Sequence, residues 1–241
     1  MSTYRLETLF APRSVAVVGA SPRQTSTGRA VLENLLGSGF PGAIHLVNPR
    51  YDEVAGVRAV KSYDMLAETP DIVAIAVPPA AVPEAVAAAA RKGTAVGIII
   101  TAGLGHGPGS LAEVCEKNAR ATGMRLVGPN CLGVLVPGIK LNASFAAAAP
   151  PPGDLALISQ SGAIAAGLVQ WAAGRGVGFS AIVSIGDCLD VDFADLLDHF
   201  ALDRSTRAIL LYVESVKDAR DRKSTRLNSS HLSVSRMPSS A

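Results

Sequence analysis

A chain of 241 residues and 24.7 kDa holds one large domain or two of roughly 100–150 residues, which excludes a peptide-sized or purely repetitive protein. Hydrophobic residues make up 49%, charged residues 17% against the ~25% of an average soluble domain, and aromatics only 5%; the interior is therefore aliphatic and most of the chain is not disordered. The formal charge is +2, but residues 1–221 hold 18 basic against 20 acidic residues, a net −2 with no basic footprint for nucleic acid; Arg222, Lys223, Arg226 and Arg236 supply the rest.

Cys115, Cys131 and Cys188 lie far apart without CxxC or Cys/His spacing, which argues against a disulfide framework or a zinc site and fits a reducing, cytoplasmic compartment. The first residues, MSTYRLETLFAPRS, carry no export signal, and no run of about 18 apolar residues predicts a membrane span.

In chain order, apolar runs bounded by turn residues predict strands over 14–20, 44–49, 71–79, 95–103 and 125–130. Helices are expected near 28–36, 82–92 and 109–122. Strands apolar on both faces belong to a covered parallel sheet, so residues 1–140 are expected to form a doubly wound, Rossmann-type domain. The segment LNASFAAAAPPPG, with three consecutive prolines, breaks both periodicities and predicts a linker over 141–153. Strands over 154–162, 179–187 and 207–215, with helices over 163–173 and 191–201, then make residues 154–221 an incomplete α/β domain. Residues 222–241 contain seven serines and continue no pattern. They resemble the translated tails found where a reading frame runs into foreign DNA, so a non-native tail is expected, with a genuine disordered tail as the alternative.

Open α/β sheets bind ligands beyond the carboxyl ends of their strands. After the first strand comes GASPRQTSTG, whose Gly19, Ala20 and Ser21 precede a helix able to hold a phosphate, although the loop is not GxGxxG. The second strand ends Asn48-Pro49-Arg50, with a cation where an NAD enzyme places an acid; NADP with its 2′-phosphate and coenzyme A with its 3′-phosphate both satisfy it, and a solvated surface arginine is the plain alternative. Val77-Pro78-Pro79 either walls a ligand groove or merely ends a strand. Thr101 and Asn130 complete the rim, and Cys131 reads as a small buried hydrophobe because no base is paired with it. Ile158-Ser159-Gln160-Ser161-Gly162 is not a hydrolase elbow, since GxSxG needs Gly where Ser159 stands; Ser159, Ser161 and Gly162 at a helix start suit a phosphate, or plain N-capping. Asp187, Asp190, Asp192, Asp195 and Asp198 are better explained by a helix start than by a metal, and His45, His106 and His199 sit in no motif.

In this order, VAVVGAS, VNPRY, AVPP, ITAG, GPNCLG, ISQSGAIA, VSIGD and ILLYVES resemble the nucleoside-diphosphate-forming acyl-CoA synthetases over residues 8–221. The resemblance is to succinyl-CoA synthetase α subunits and ADP-forming acetate–CoA ligases, including those fused to a GNAT acetyltransferase. It implies a CoA-binding Rossmann domain followed by a flavodoxin-like ligase domain. By motif, Gly19, Ala20, Ser21, Asn48, Pro49, Arg50, Val77, Pro78, Thr101 and Asn130 line the CoA site, and Ser159, Ser161 and Gly162 hold phosphate or phosphohistidine. ATP or ADP and magnesium belong to an ATP-grasp domain or subunit of the intact, oligomeric enzyme. The family's phosphorylated histidine lies in a motif resembling SHTGA, which His231 in LNSSHLSV does not match, so the expectation is a fragment inactive alone. A bare CoA-binding module would end near residue 140. The other competitors are an NADP-dependent oxidoreductase and the CoA-binding regulatory region of a lysine acetyltransferase.

Overall fold

The computed structural model describes residues 4–215. The expected tail, His231 and residues 216–221 lie outside them. Short α1 (Leu6–Phe10) leads into β1 (Ser14–Val18), whose five residues are all buried, as a strand covered on both faces requires. Helix α2 (Thr27–Gly37) starts at Ser26, whose hydroxyl accepts the Arg29 N–H at 3.4 Å. After β2 (Ala43–Val47) the chain makes a hairpin, β3 (Glu53–Val54) and β4 (Val57–Val60), turned at Ala55 and Gly56 with φ of 52° and 81°. Then follow β5 (Ile72–Ile75), α3 (Val82–Lys92), β6 (Val96–Ile99), α4 (Leu111–Arg120) and β7 (Arg125–Val127).

The seven strands run in the order β3-β4-β2-β1-β5-β6-β7, parallel except for the β3–β4 hairpin. The chain moves one way from β1 to β2 and the other way from β1 to β5, so the crevice of this sheet opens beyond the ends of β1 and β5.

The second sheet begins earlier than the sequence predicts. Strands β8 (Gly133–Val136) and β9 (Leu141–Ser144) pair antiparallel with each other, and β8 pairs with β11 (Phe179–Ser184). With β10 (Pro152–Ser159) and β12 (Ala208–Tyr212) the order is β12-β10-β11-β8-β9, with α5 (Gly162–Ala173) and α6 (Phe193–Leu202) as crossovers. The expected linker over 141–153 therefore opens with a fully buried strand, and the expected boundary at 140 falls between two paired strands. Small polar residues disguise it: Ser144 Oγ bonds Asn142 Oδ1 at 2.6 Å, and Asn34 of α2 donates to the Ser144 and Ala146 carbonyls at 2.8 and 2.9 Å, so nothing polar is stranded.

One aliphatic core runs through both sheets, from Val15, Val17, Ile72 and Ile98 through Val134, Val136 and Leu141 to Ile158, Val183 and Leu196. Helices α3 and α4 cover the far face of the first sheet and α5 that of the second. The sheets are also clamped at β7. Arg125, its side chain 12% exposed, meets Asp190 at 3.0 Å and Asp195 at 2.6 Å, and Asp190 also accepts the Leu126 N–H at 2.8 Å.

Replacing Arg125 with Leu leaves two part-buried carboxylates without their cation, and should cost about 2–3 kcal/mol. Urea unfolding with an unchanged slope checks this, and a loss below about 1 kcal/mol would mean the clamp is solvated in solution.

Candidate functional site

The first crown of residues stands at the carboxyl ends of the first sheet. Gly19, with φ of 103°, follows β1, and a Cβ there would lie 2.7 Å from Val77 Cγ1. Only glycine lets the β1 loop lie against the end of β5. Gly28 in the first turn of α2 is equally tight, since its Cβ would lie 2.9 Å from Ala20 N. The N-terminus of α2 is thus pressed onto the Gly19-Ala20 backbone. Ser21, half-buried, opens the loop that Arg29 pins through the Pro22 carbonyl.

Asn48 is buried and uses its whole amide. Nδ2 donates to the Ala20 carbonyl at 2.6 Å, while Oδ1 accepts the Arg50 and Tyr51 N–H groups at 2.8 and 3.2 Å. Its side chain builds the rim and ties the β1 and β2 loops together. Pro49 and Arg50 are exposed on that turn, and the Arg50 guanidinium has no hydrogen-bond or ion-pair partner among the described residues. Further along, Thr101 Oγ1 donates to the Val77 carbonyl at 2.7 Å, Pro78 is exposed, and Asn130 N–H donates to the Thr101 carbonyl at 3.1 Å. From Arg50 after β2 to Asn130 after β7 the crown crosses four strand spacings, about 19 Å, the scale of a long extended ligand.

The second crown stands at the end of β10, where the second sheet also changes direction between β11 and β12. Ser161 caps α5, its Oγ accepting the Ile164 N–H at 3.4 Å. Ser159 is fully buried and its hydroxyl donates back to the Ser161 carbonyl at 2.8 Å, so it shapes the turn from within. Gln160, which sequence reasoning passed over, is the turn's organiser: Oε1 accepts the Glu214 and Ser215 N–H groups at 2.7 and 3.0 Å, and Nε2 lies 3.5 Å from Cys188 Sγ. A long amide among small residues at a strand end was the available signal. Gly162 leaves the first turn of α5 open toward Leu132, whose N–H donates to the buried Ser184 hydroxyl at 3.0 Å.

The two crowns meet. Asp187, Leu189 and Val191 donate backbone N–H groups to the carbonyls of Pro129, Gly128 and Leu126 at 2.9, 2.9 and 3.0 Å. A Cβ on Gly186, with φ of 50°, would lie 2.8 Å from the Asn130 carbonyl carbon. Across this seam Asn130 Nδ2 donates to Asp187 Oδ1 at 3.2 Å.

The other sequence candidates find ordinary places. Cys131 is buried, its Sγ lies 3.3 Å from the Ile99 carbonyl, and burial pushes the thiol up to about 12, so it is no nucleophile at neutral pH. Asp190 and Asp195 hold Arg125, Asp192 caps α6 by accepting the Asp195 N–H at 3.0 Å, and no metal-competent cluster of His, Cys, Asp or Glu occurs among the described residues. His199 stacks on Phe10 with ring centroids 4.1 Å apart. No helix among the described residues is long and apolar enough to cross a membrane.

Comparison with known proteins follows the same division. The family model described as CoA binding domain matches residues 13–137, and the one described as Succinyl-CoA ligase like flavodoxin domain matches residues 152–226. The ADP-forming acetate–CoA ligase of Methanocaldococcus jannaschii is 38% identical over 90% of this chain and 31% of its own length. The α subunit of ADP-forming acetate–CoA ligase I of Pyrococcus furiosus is 43% identical over 89% of this chain and 48% of its own. A solved dinucleotide-forming acetyl-coenzyme A synthetase 1 of Ca. Korarchaeum cryptofilum, in complex with phosphate and ADP, superposes with a TM-score of 0.82 at 35% identity, over 90% of this chain and 47% of that one. The chain spans from about a third to about half the length of these relatives. With a CoA-binding domain that matches half of its residues and a succinyl-CoA ligase-like domain behind it, the chain belongs to the nucleoside-diphosphate-forming acyl-CoA synthetase family.

Proposed function

We propose that the chain supplies the CoA-binding crown and the acyl-phosphate turn of an ADP-forming acyl-CoA ligase of the acetate class, interconverting acyl-CoA, phosphate and ADP with acid, CoA and ATP. The observation that carries this reading is the convergence of the crowns, with the Asn130 loop hydrogen-bonded to the loop that follows β11 beside the Ser161 turn. Arg50, exposed and without a partner among the described residues, suits the 3′-phosphate of CoA. The pantetheine arm would run along the rim where the Gly19 loop lies against Val77 and the exposed Pro78 follows. Its thiol end then arrives at Asn130, next to the free N–H groups at the start of α5, where a phosphate finds both donors and the positive end of the helix.

In the acyl-transfer step a phosphate oxygen at the Ser161 turn attacks the thioester carbonyl. A carbon–oxygen bond forms, the carbon–sulfur bond breaks, and the thiolate leaves on the CoA crown. Holding both reactants at one seam supplies most of what such an exchange needs from the protein, namely proximity and orientation. Passage of the phosphoryl group to ADP, with magnesium, belongs to an ATP-grasp partner in the same chain or a second subunit. The acetate-ligase names of the relatives support this assignment.

Titration calorimetry with CoA and NADP side by side tests the reading. CoA should bind with saturation and NADP should not; tight NADP binding with no heat from CoA would overturn it. Arg50→Ala should weaken CoA about tenfold or more while leaving dephospho-CoA nearly unaffected, which isolates the phosphate contact.

Neither Cys115 nor Cys131 takes part in the proposed chemistry. Cys115 and Cys131, raised to about 11 and about 12 by burial, should stay unalkylated by iodoacetamide at pH 8 in the folded protein. Mass spectrometry reads the modification, and rapid labelling of Cys131 with loss of CoA binding would contradict the assignment.

A further inference from the structure

We propose that Asp187, a residue of the second domain, is a positioning residue for CoA: it fixes the Asn130 amide so that its oxygen faces the thiol end of the crown and accepts a hydrogen bond there. This rests on the CoA reading above and adds to it a residue that reaches the ligand only through another. An asparagine amide presents a donor at one end and an acceptor at the other, and a flip exchanges them. An ionised carboxylate only accepts. With Asp187 Oδ1 3.2 Å from the amide, the nitrogen must point at Asp187 and the oxygen away from it.

The geometry around the pair leaves little room for other arrangements. Asn130 is exposed, in the left-handed region at φ of 58°, and its N–H is bonded to the Thr101 carbonyl at 3.1 Å. Asp187 is half-buried, and its N–H is bonded to the Pro129 carbonyl at 2.9 Å, so both ends of the pair are anchored by backbone. The close approach of Gly186 to the Asn130 carbonyl keeps the loops from sliding past each other. Asn130 Oδ1 has no partner among the described residues. At that end of the crown the ligand groups able to donate are the terminal pantetheine amide N–H and the thiol S–H.

The consequence is that the first sheet does not read the whole of CoA alone. Its Arg50 end recognises the adenosine bisphosphate portion, and its Asn130 end depends on a carboxylate carried by the second sheet. The link also joins the two substrates, because Asp187 follows β11 directly beside the Ser161 turn.

Calorimetry on the full chain with two ligands, CoA and its adenosine bisphosphate portion, tests this. Asp187→Asn is nearly isosteric but can donate as well as accept, so the Asn130 amide is no longer held one way round. It should weaken CoA about five- to tenfold and leave the adenosine bisphosphate unchanged, the scale of one hydrogen bond. Asn130→Asp faces two carboxylates and should lose more. The swapped double variant, Asn130→Asp with Asp187→Asn, restores one donor against one acceptor with the total charge kept, and should return to within about threefold of the native affinity. Unchanged CoA affinity in Asp187→Asn, equal loss of both ligands, or a double variant no better than Asn130→Asp would each overturn the proposal. If the native chain binds neither ligand, the CoA reading fails and this inference falls with it.

Discussion

Residues 126–130 and 185–191 are hydrogen-bonded to each other along their backbones, and every functional statement about this protein depends on that seam. It joins the carboxyl ends of the parallel strands of two sheets whose crowns would otherwise face solvent separately. Each of the three inter-loop backbone bonds contributes about 1 kcal/mol net. They are backed by a continuous aliphatic core and by the Arg125 clamp, so opening the seam would break an ion cluster and expose apolar surface together. The result is a fixed junction rather than two domains on a tether.

A fixed junction suits the proposed acyl transfer between two bound substrates. Cys131 and Cys188, beside and within the seam, are both buried, burial pushes the Cys131 thiol up to about 12, and Ser159 and Ser161 shape and cap a turn. On the proposed reading the fold offers backbone N–H groups at a helix start, a cation for a distant phosphate and a glycine-lined approach, all of which would bind and orient. Glycines occur where chain meets chain: a side chain at Gly19 would push the β1 loop off the end of β5, and one at Gly186 would push the two crowns apart.

Much of the first sheet was legible because its strands are apolar on both faces and its helices are separated from them by glycine and proline. The family was legible from eight short motifs in order. The seam was not. Strand β9 is written in Leu, Asn, Ala and Ser, a composition that also describes a linker, and only its pairing with β8 and the reach of Asn34 from α2 show it to be buried. The β3–β4 hairpin is two to four residues per strand and its turn carries Ala rather than Asn or Asp before Gly, so it gave no strong signal. The aspartates after β11 are expected at a helix start, and Asp192 does cap α6, but one-dimensional spacing cannot reveal that Asp190 and Asp195 hold an arginine 65 and 70 positions upstream. That Asn48 and Ser159 spend their side-chain groups on the loops around them was equally hidden, since hydrogen-bond partners are set by three-dimensional neighbours.

The central claim is that CoA on the first crown and phosphate on the second meet at the Asn130 seam. A crystal structure of the chain with both CoA and phosphate bound measures it most directly. The account predicts the adenosine phosphate at Arg50, the inorganic phosphate on the first turn of α5, and the CoA sulfur within about 3–4 Å of it, the reach of reacting atoms. A sulfur directed away from residues 128–132, or a phosphate bound elsewhere than the Ser161 turn, would contradict it.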